Sequence, residues 1–180
     1  MKFEIMRKKS LVYLFFFLFT LAGTAQTSNL YYKLDKGFKA NLQQMNATLS
    51  RLEGVVNLDK RSRMKHYAAI LKGETTVLIA EIELAYNQAQ RITDKLENNK
   101  NYKLAEEVRE LKARIYDMKY SANALSKYCG YMMKKPRVHG IKSFRSMTRI
   151  YNNIIKNRNY VNKNRKVLLK VISCEASLKI

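Results

Sequence analysis

Apolar residues recur at alternating steps of three and four along most of this chain. The most regular series occupies about residues 102–133 and consists of Leu104, Val108, Leu111, Ile115, Met118, Ala122, Leu125, Cys129 and Met132. This spacing puts the side chains on one stripe of an α-helix, with charged residues between them. The pattern therefore predicts a long helix that buries one face in a bundle or a coiled coil.

Three other segments carry related patterns. In about 30–53 the stripe is Phe38, Leu42, Met45, Leu49 and Leu52, and in about 60–97 it includes Leu78, Ile82, Ala85, Ala89, Ile92 and Leu96. The last segment, about 141–179, has two short stripes separated by a tract with six asparagines between residues 152 and 164. Asparagine is a poor helix former, so we predict a helix break near Asn157–Asn162.

Turn-forming residues are scarce. Pro136 is the only proline and there are six glycines, too few for the turns that a β-sandwich or barrel needs about every 8–12 residues. The predicted breaks between helices are Gly54 with the stretch 57–59, the asparagine-rich residues 98–101 and the stretch 134–140. The predicted fold class is all-α, an elongated antiparallel bundle or set of coiled-coil hairpins with three to five helices, in one domain over residues 26–180.

The N-terminus has the three parts of a secretory signal peptide. A basic start is followed by an uncharged apolar run at 11–22, and Gly23 and Ala25 supply small residues before Gln26. The run is shorter than the roughly 20 residues of a membrane-spanning helix. We predict that residues 1–25 are cleaved, which leaves no stable transmembrane anchor and a periplasmic or extracellular protein. Retention as an anchor is the alternative.

The positive charge is concentrated in the C-terminal part. The chain has a net charge of +21, and residues 118–180 hold fifteen basic residues against Glu175 alone. Such a surface repels itself unless an anion lies nearby. Outside the cytoplasm we expect an acidic protein partner or an envelope polyanion, such as lipid head groups, lipopolysaccharide or nucleic acid bound without sequence preference. A basic surface that is merely solvated is also consistent with this composition.

The candidate binding residues lie in this basic part. They are Lys134, Lys135, Arg137, Lys142, Arg145, Arg149, Arg158, Lys163, Arg165 and Lys166. Lys142, Arg145 and Arg149 share a helix face by their spacing. Tyrosines at 128, 131, 151 and 160 lie among them, and cations mixed with aromatic rings suit both phosphate backbones with stacked bases and anionic lipid surfaces.

Two cysteines, Cys129 and Cys174, would lie in an oxidising compartment if the chain is exported. A fold-back of the last segment near Asn159 would bring Cys174 opposite Cys129 and allow a disulfide. An intermolecular bridge and a simply buried thiol are the alternatives.

No pattern of residues indicates catalysis or metal binding. His66, His139 and the two cysteines are too scattered for a zinc site. Glu106 and Glu110 lie one helical turn apart beside Arg109, as on a solvated, salt-bridged face. Phosphate-binding loops and nucleophile elbows are lacking. We predict a protein that is not an enzyme, with no metal and no cofactor.

A signal that ends in Ala25 before Gln26, followed by heptad-rich helices without an enzyme motif, resembles the small exported helical proteins of conjugative-transfer (type IV secretion) operons, particularly those of Bacteroidetes elements. This resemblance of layout implies a structural or interaction subunit of an envelope or transfer assembly. The heptad seams would also fit a second copy of the chain. A polyanion-binding module is the alternative function. The layout is also similar to periplasmic chaperones of the Skp type, but the strands of that family find no counterpart here.

Overall fold

The structure is a computed structural model, and it describes Leu30 and residues 38–177. Residues 38–177 form five helices and no strand. These are α1 (Phe38–Asn57), α2 (Arg61–Asn98), α3 (Tyr102–Lys134), α4 (Pro136–Lys163) and α5 (Lys166–Ser177). The predicted all-α class is confirmed. The predicted signal peptide, residues 1–25, lies outside the described residues.

Helices α2 and α3 form an antiparallel hairpin. Lys112 Nζ donates to Gln90 Oε1 (2.6 Å), and Lys119 Nζ donates to Glu83 Oε1 (2.9 Å). Residues further along α3 thus meet residues nearer the start of α2. The turn between them, at Asn99–Asn101, falls where the asparagine tract predicts it.

Helix α4 returns along α3 in the opposite direction. Asn153 Nδ2 donates to Ser121 Oγ (2.9 Å), and further along α4 the hydroxyl of Tyr160 donates to the carboxylate of Glu110. The last helix, α5, continues towards the start of α3, where Lys170 Nζ lies 2.8 Å from a carboxylate oxygen of Glu107.

Helix α1 completes the bundle at one end, between α2 and α4. Thr48 Oγ1 donates to Glu74 Oε1 of α2 (2.9 Å), and the hydroxyl of Tyr151 in α4 donates to the Leu42 carbonyl oxygen (2.8 Å). Neighbouring helices of the bundle alternate in direction. Helices α1 and α2 pack together on one side of the bundle, and α3 and α4 pack together on the other.

The predicted stripes form the core. All nine members of the α3 stripe are buried, and so are the stripe residues named above for α1 and α2. Each fully buried large apolar side chain stabilises the fold by roughly 1.5–3 kcal/mol, so the stripes dominate the packing energy.

Two of the predicted breaks are shorter than expected because burial or proline geometry extends the helices. Helix α1 continues through Gly54 to Asn57, since Val55 and Val56 are buried in the core; the turn uses only Leu58–Lys60 at the end of the predicted stretch, and Asp59 has φ 47°. The predicted loop at 134–140 shrinks to Lys135. Pro136 is the first residue of α4, where its missing N–H costs no hydrogen bond.

The asparagine tract does not break the helix where its composition predicts. Helix α4 runs through Asn157–Asn162 to Lys163, and the break falls at Asn164 and Arg165. Ile154 and Val161 are buried on the core side, and Asn157 donates its amide to the Asn153 carbonyl (3.1 Å). Tertiary burial thus outweighs low helix propensity.

One carboxylate lies in the α1–α2 contact. Glu74 is 8% exposed, and among the described residues none hydrogen-bonds to its Oε2 atom. Burial raises the pKa of this carboxyl above its ordinary value, while contacts with Thr48 and Gln44 and the charge of Arg51 oppose that rise. The folded state therefore binds the Glu74 proton more tightly than the unfolded state does.

We expect Glu74→Gln to stabilise the protein at pH 7. A raised carboxyl pKa gives stability that is full below the unfolded pKa and is lost as pH rises through the folded pKa. Removing the buried charge should gain about 1 kcal/mol, or about 2–4 °C in the thermal midpoint. Thermal unfolding between pH 4 and 7 measures this. The exposed Glu53→Gln in α1 is the control; equal pH dependence in wild type and Glu74→Gln would contradict the assignment.

Candidate functional site

A row of cations runs along the solvent side of α4. The helix contains seven basic residues and no acidic one. Five of them are exposed at heptad steps, on the side opposite the buried Met147 and Ile154: Lys142, Arg145, Arg149, Lys156 and Lys163. Asn152 and Asn159 are exposed at the positions between them. We call these five basic residues the cationic stripe; it extends for about 32 Å at 1.5 Å per residue.

A shallow groove of about 560 Å³ lies beside the stripe, between α3 and α4. Its lining is Tyr120, Ser121, Ala124, Arg149, Ile150, Asn152, Asn153 and Lys156. Two stripe cations therefore share the groove with side-chain amides and with the ring of Tyr120, which is 72% exposed. The groove offers charge-assisted and neutral hydrogen-bond donors to an anionic group.

The stripe has no internal counter-charge. No carboxylate among the described residues lies within 4.0 Å of a stripe cation. Three of the four carboxylates of α3 lie towards its N-terminus, where Arg109 pairs with Glu97 and Glu106, and where Glu110 accepts from Tyr160. The fourth, Asp117, is exposed near the middle of α3. Like charges one turn apart repel each other, so an anionic ligand would relieve repulsion as well as gain attraction.

The ten predicted basic residues separate into three groups and one single residue. Lys142, Arg145, Arg149 and Lys163 belong to the stripe. Lys134, Lys135 and Arg137 lie at the α3–α4 junction, with Arg137 in the first turn of α4 instead of a loop. Arg165 and Lys166 lie at the α4–α5 junction, and Arg158 is half-buried on the flank of α4.

Sequence reasoning missed Lys156. The steps from Lys142 through Arg149 continue to Lys156 and Lys163 if the intervening asparagines are counted as stripe positions. Because a helix break is predicted at 157–162, the sequence does not predict that Lys156 and Lys163 share a helix face with Lys142 and Arg149.

The aromatic residues contribute less than predicted. Tyr151 is buried and bonded to α1, so its ring is turned away from the cations. Tyr160 lies under the guanidinium of Arg114, 4.6 Å from the ring centroid. Tyr131 stacks on His139 with ring centroids 5.6 Å apart. These three tyrosines therefore offer no free ring to the stripe, and the exposed ring beside it is that of Tyr120 in the groove.

The structure does not bring Cys129 and Cys174 together, as the possible disulfide between them would require. Both thiols are free, and Cys174 Sγ accepts from Asn101 Nδ2 at 3.4 Å, at the start of α3. Cys129 lies 28 residues further along that helix, about 42 Å away. The reason is that α5 continues in the direction of α4, whereas the prediction required a fold-back near Asn159.

The other titratable side chains of the described helices form no cluster of the kind that holds a metal. The described residues contain no group of three or more His, Cys, Asp or Glu side chains placed to bind such an ion. Glu106 and Glu110 both engage neighbouring side chains, and His66 lies on the α2 surface beside Tyr67. None of the described helices combines the length and apolarity needed to span a membrane.

Comparison of the chain with known protein families, curated proteins and solved structures finds no match. The resemblance to conjugative-transfer proteins thus remains a prediction.

We expect the two thiols to differ sharply in reactivity. Burial is the main cause that raises the pKa of Cys129, to about 12, whereas Cys174 is half-buried near the surface. At pH 8 a maleimide should modify Cys174 quickly and Cys129 only after unfolding, because the thiolate is the nucleophile. Mass spectrometry of labelled peptides measures both rates. Cys174→Ser should abolish the fast phase, and fast labelling of native Cys129 would contradict the structure.

Proposed function

We propose that this protein is an exported, non-enzymatic helical subunit of an envelope or conjugative-transfer assembly, and that it binds an anionic partner along the cationic stripe. The uncompensated row of cations on α4 is the observation that carries the proposal. The signal-like N-terminus and the layout of heptad-rich helices support the compartment and the assembly.

The stripe suits an extended partner better than a small anion. Its cations recur once per one or two turns over about 32 Å, so a single phosphate or carboxylate would meet only one or two of them. A helix with acidic residues at matching steps could meet them all. Charge of this kind speeds association and fixes the register of binding.

Apolar residues at the start of the stripe favour an acidic protein as the partner. Val138 and Ile141 are 69% and 57% exposed, one or two turns before Arg145. An amphipathic acidic helix would cover them and pair with the cations in one contact, in the helix-in-groove manner.

A polyanion is the second candidate, and it is favoured because α4 contains no acidic residue. Such a ligand would bind mainly by releasing its counterions, so its affinity would fall steeply with salt.

The test is loss of binding when stripe charge is removed. The paired change Arg149→Gln with Lys156→Gln neutralises the two cations of the groove. Arg91→Gln with Lys103→Gln removes the same charge from exposed sites on α2 and α3 and is the matched control. We expect the groove variant to lose most of the acidic envelope protein that wild type recovers after nuclease treatment, and the control to retain it.

The polyanion alternative is measured with single-stranded DNA as the probe. If it is correct, the slope of log affinity against log salt should become shallower by about 1.4 in the groove variant, because two phosphate contacts are lost. Equal behaviour of the groove variant and the control in both assays would refute the proposed function.

A further inference from the structure

The solvent side of α2 carries a second apolar heptad, which the core does not use. Its members are Ile70, Gly73, Val77, Ala80 and Leu84, at steps of three and four. Val77 is 54% exposed and Leu84 is 53% exposed, although the next residue after Val77, Leu78, is fully buried. A stripe with this regular spacing is typical of a helix that packs against another helix.

The adjacent side of α1 is flat. Ala40, Ala47 and Gly54 are exposed at seven-residue steps, and a side chain at Gly54 would meet nothing within 4 Å. Helix α1 lies beside α2 at this level, since Thr48 and Asn41 contact Glu74 and Glu81. The eight outward residues named for α1 and α2 form one surface, which we call the neutral face.

The neutral face carries little charge. Between residues 66 and 84, α2 has Lys72, the buried Glu74, Glu81 and Glu83, and α1 has Lys39, Arg51 and Glu53, so the charges of this part nearly cancel. The opposite side of the bundle includes α4, with seven cations and no acid. For a chain of +21, self-repulsion is therefore weakest where two copies would approach through α1 and α2.

We propose that the neutral face binds a second copy of this chain, with the two α2 helices antiparallel across a two-fold axis. The stripe has large residues at one heptad position (Ile70, Val77, Leu84) and small ones at the other (Gly73, Ala80). An antiparallel pair sets one heptad position against the other. Val77 then packs over the partner's Ala80, and Leu84 packs over the partner's Gly73, so the surface is complementary to itself.

The size of the face fits a dimer of modest stability. From Ile70 to Leu84 with flanking turns the stripe is about 30 Å long, and two packed helices are about 20 Å wide. Roughly 600 Å² per partner would be covered, or about 1,200 Å² in total, at the lower end for specific interfaces. We therefore expect a reversible dimer.

In this arrangement the two cationic stripes face away from the contact. The dimer depends on apolar contacts, whereas the proposed binding of an anionic partner depends on charge. An experiment can therefore contradict one proposal and leave the other standing.

The experiment measures the solution mass of the protein expressed from the 180-residue sequence and purified in the form that the host produces. Sedimentation and light scattering are run over a range of concentrations at low and high salt, after nuclease treatment. Ala80→Glu places a carboxylate in the centre of the neutral face. Ala113→Glu makes the same exchange at an exposed position in the middle of α3 and is the matched control.

Wild type and Ala113→Glu should form dimers that persist in high salt, whereas Ala80→Glu should dissociate with a dissociation constant raised roughly tenfold or more. Val77→Gln, which adds no charge, should weaken the dimer in the same direction. Circular dichroism checks that each variant is folded. Four results would overturn the proposal. The wild-type protein could stay monomeric at high concentration, or its dimers could dissociate at high salt. Ala80→Glu and Ala113→Glu could dimerise equally, or the protein could form a complex only with another protein.

Discussion

The burial of the α3 heptad stripe holds the other helices in place. Helix α3 packs against α2, α4 and α5, and the turns on either side of it have only one to three residues. With connections this short, burying the stripe from Leu104 to Met132 dictates that α2 and α4 run antiparallel to it. Once the inward side of each helix is fixed, its outward side is fixed too. The surface chemistry therefore depends on the core.

Charge is segregated across the bundle as a consequence. The outward positions of α4 are basic, whereas the outward heptad positions of α1, and those of α2 from Ile70 to Leu84, are apolar or small. The carboxylates near the start of α3 contact Arg109, Tyr160 and Lys170. They therefore do not neutralise the cations in the first part of α4, which lie beside the other end of α3. The result is two opposite sides with different chemistry.

Regular spacing of apolar residues makes the helices predictable. Local helix propensity gives a wrong prediction where tertiary contacts determine whether a helix continues. The stripes of α1 to α3 and the turn at Asn99–Asn101 can be predicted from spacing and composition. Pro136 suits a loop and the first turn of a helix equally well, and only the packing of the residues after it decides between the two. The asparagine tract predicts a break because propensity does not include the burial of Val161. The direction of α5, which separates Cys129 from Cys174, has no local signal at all.

The same balance of energies explains how α4 tolerates its own charge. Like-charged pairs one turn apart cost about 0.2–0.5 kcal/mol each, so Lys142 with Arg145 and Arg145 with Arg149 destabilise α4 by roughly 0.4–1 kcal/mol in total. Burial of Met147 and Ile154 on the opposite side stabilises it by roughly 1.5–3 kcal/mol for each side chain, and so outweighs the repulsion. The core thus holds the cations in a fixed row before any partner arrives. An anion that meets this row does not have to order the helix, and the repulsion it relieves adds to the attraction that it gains.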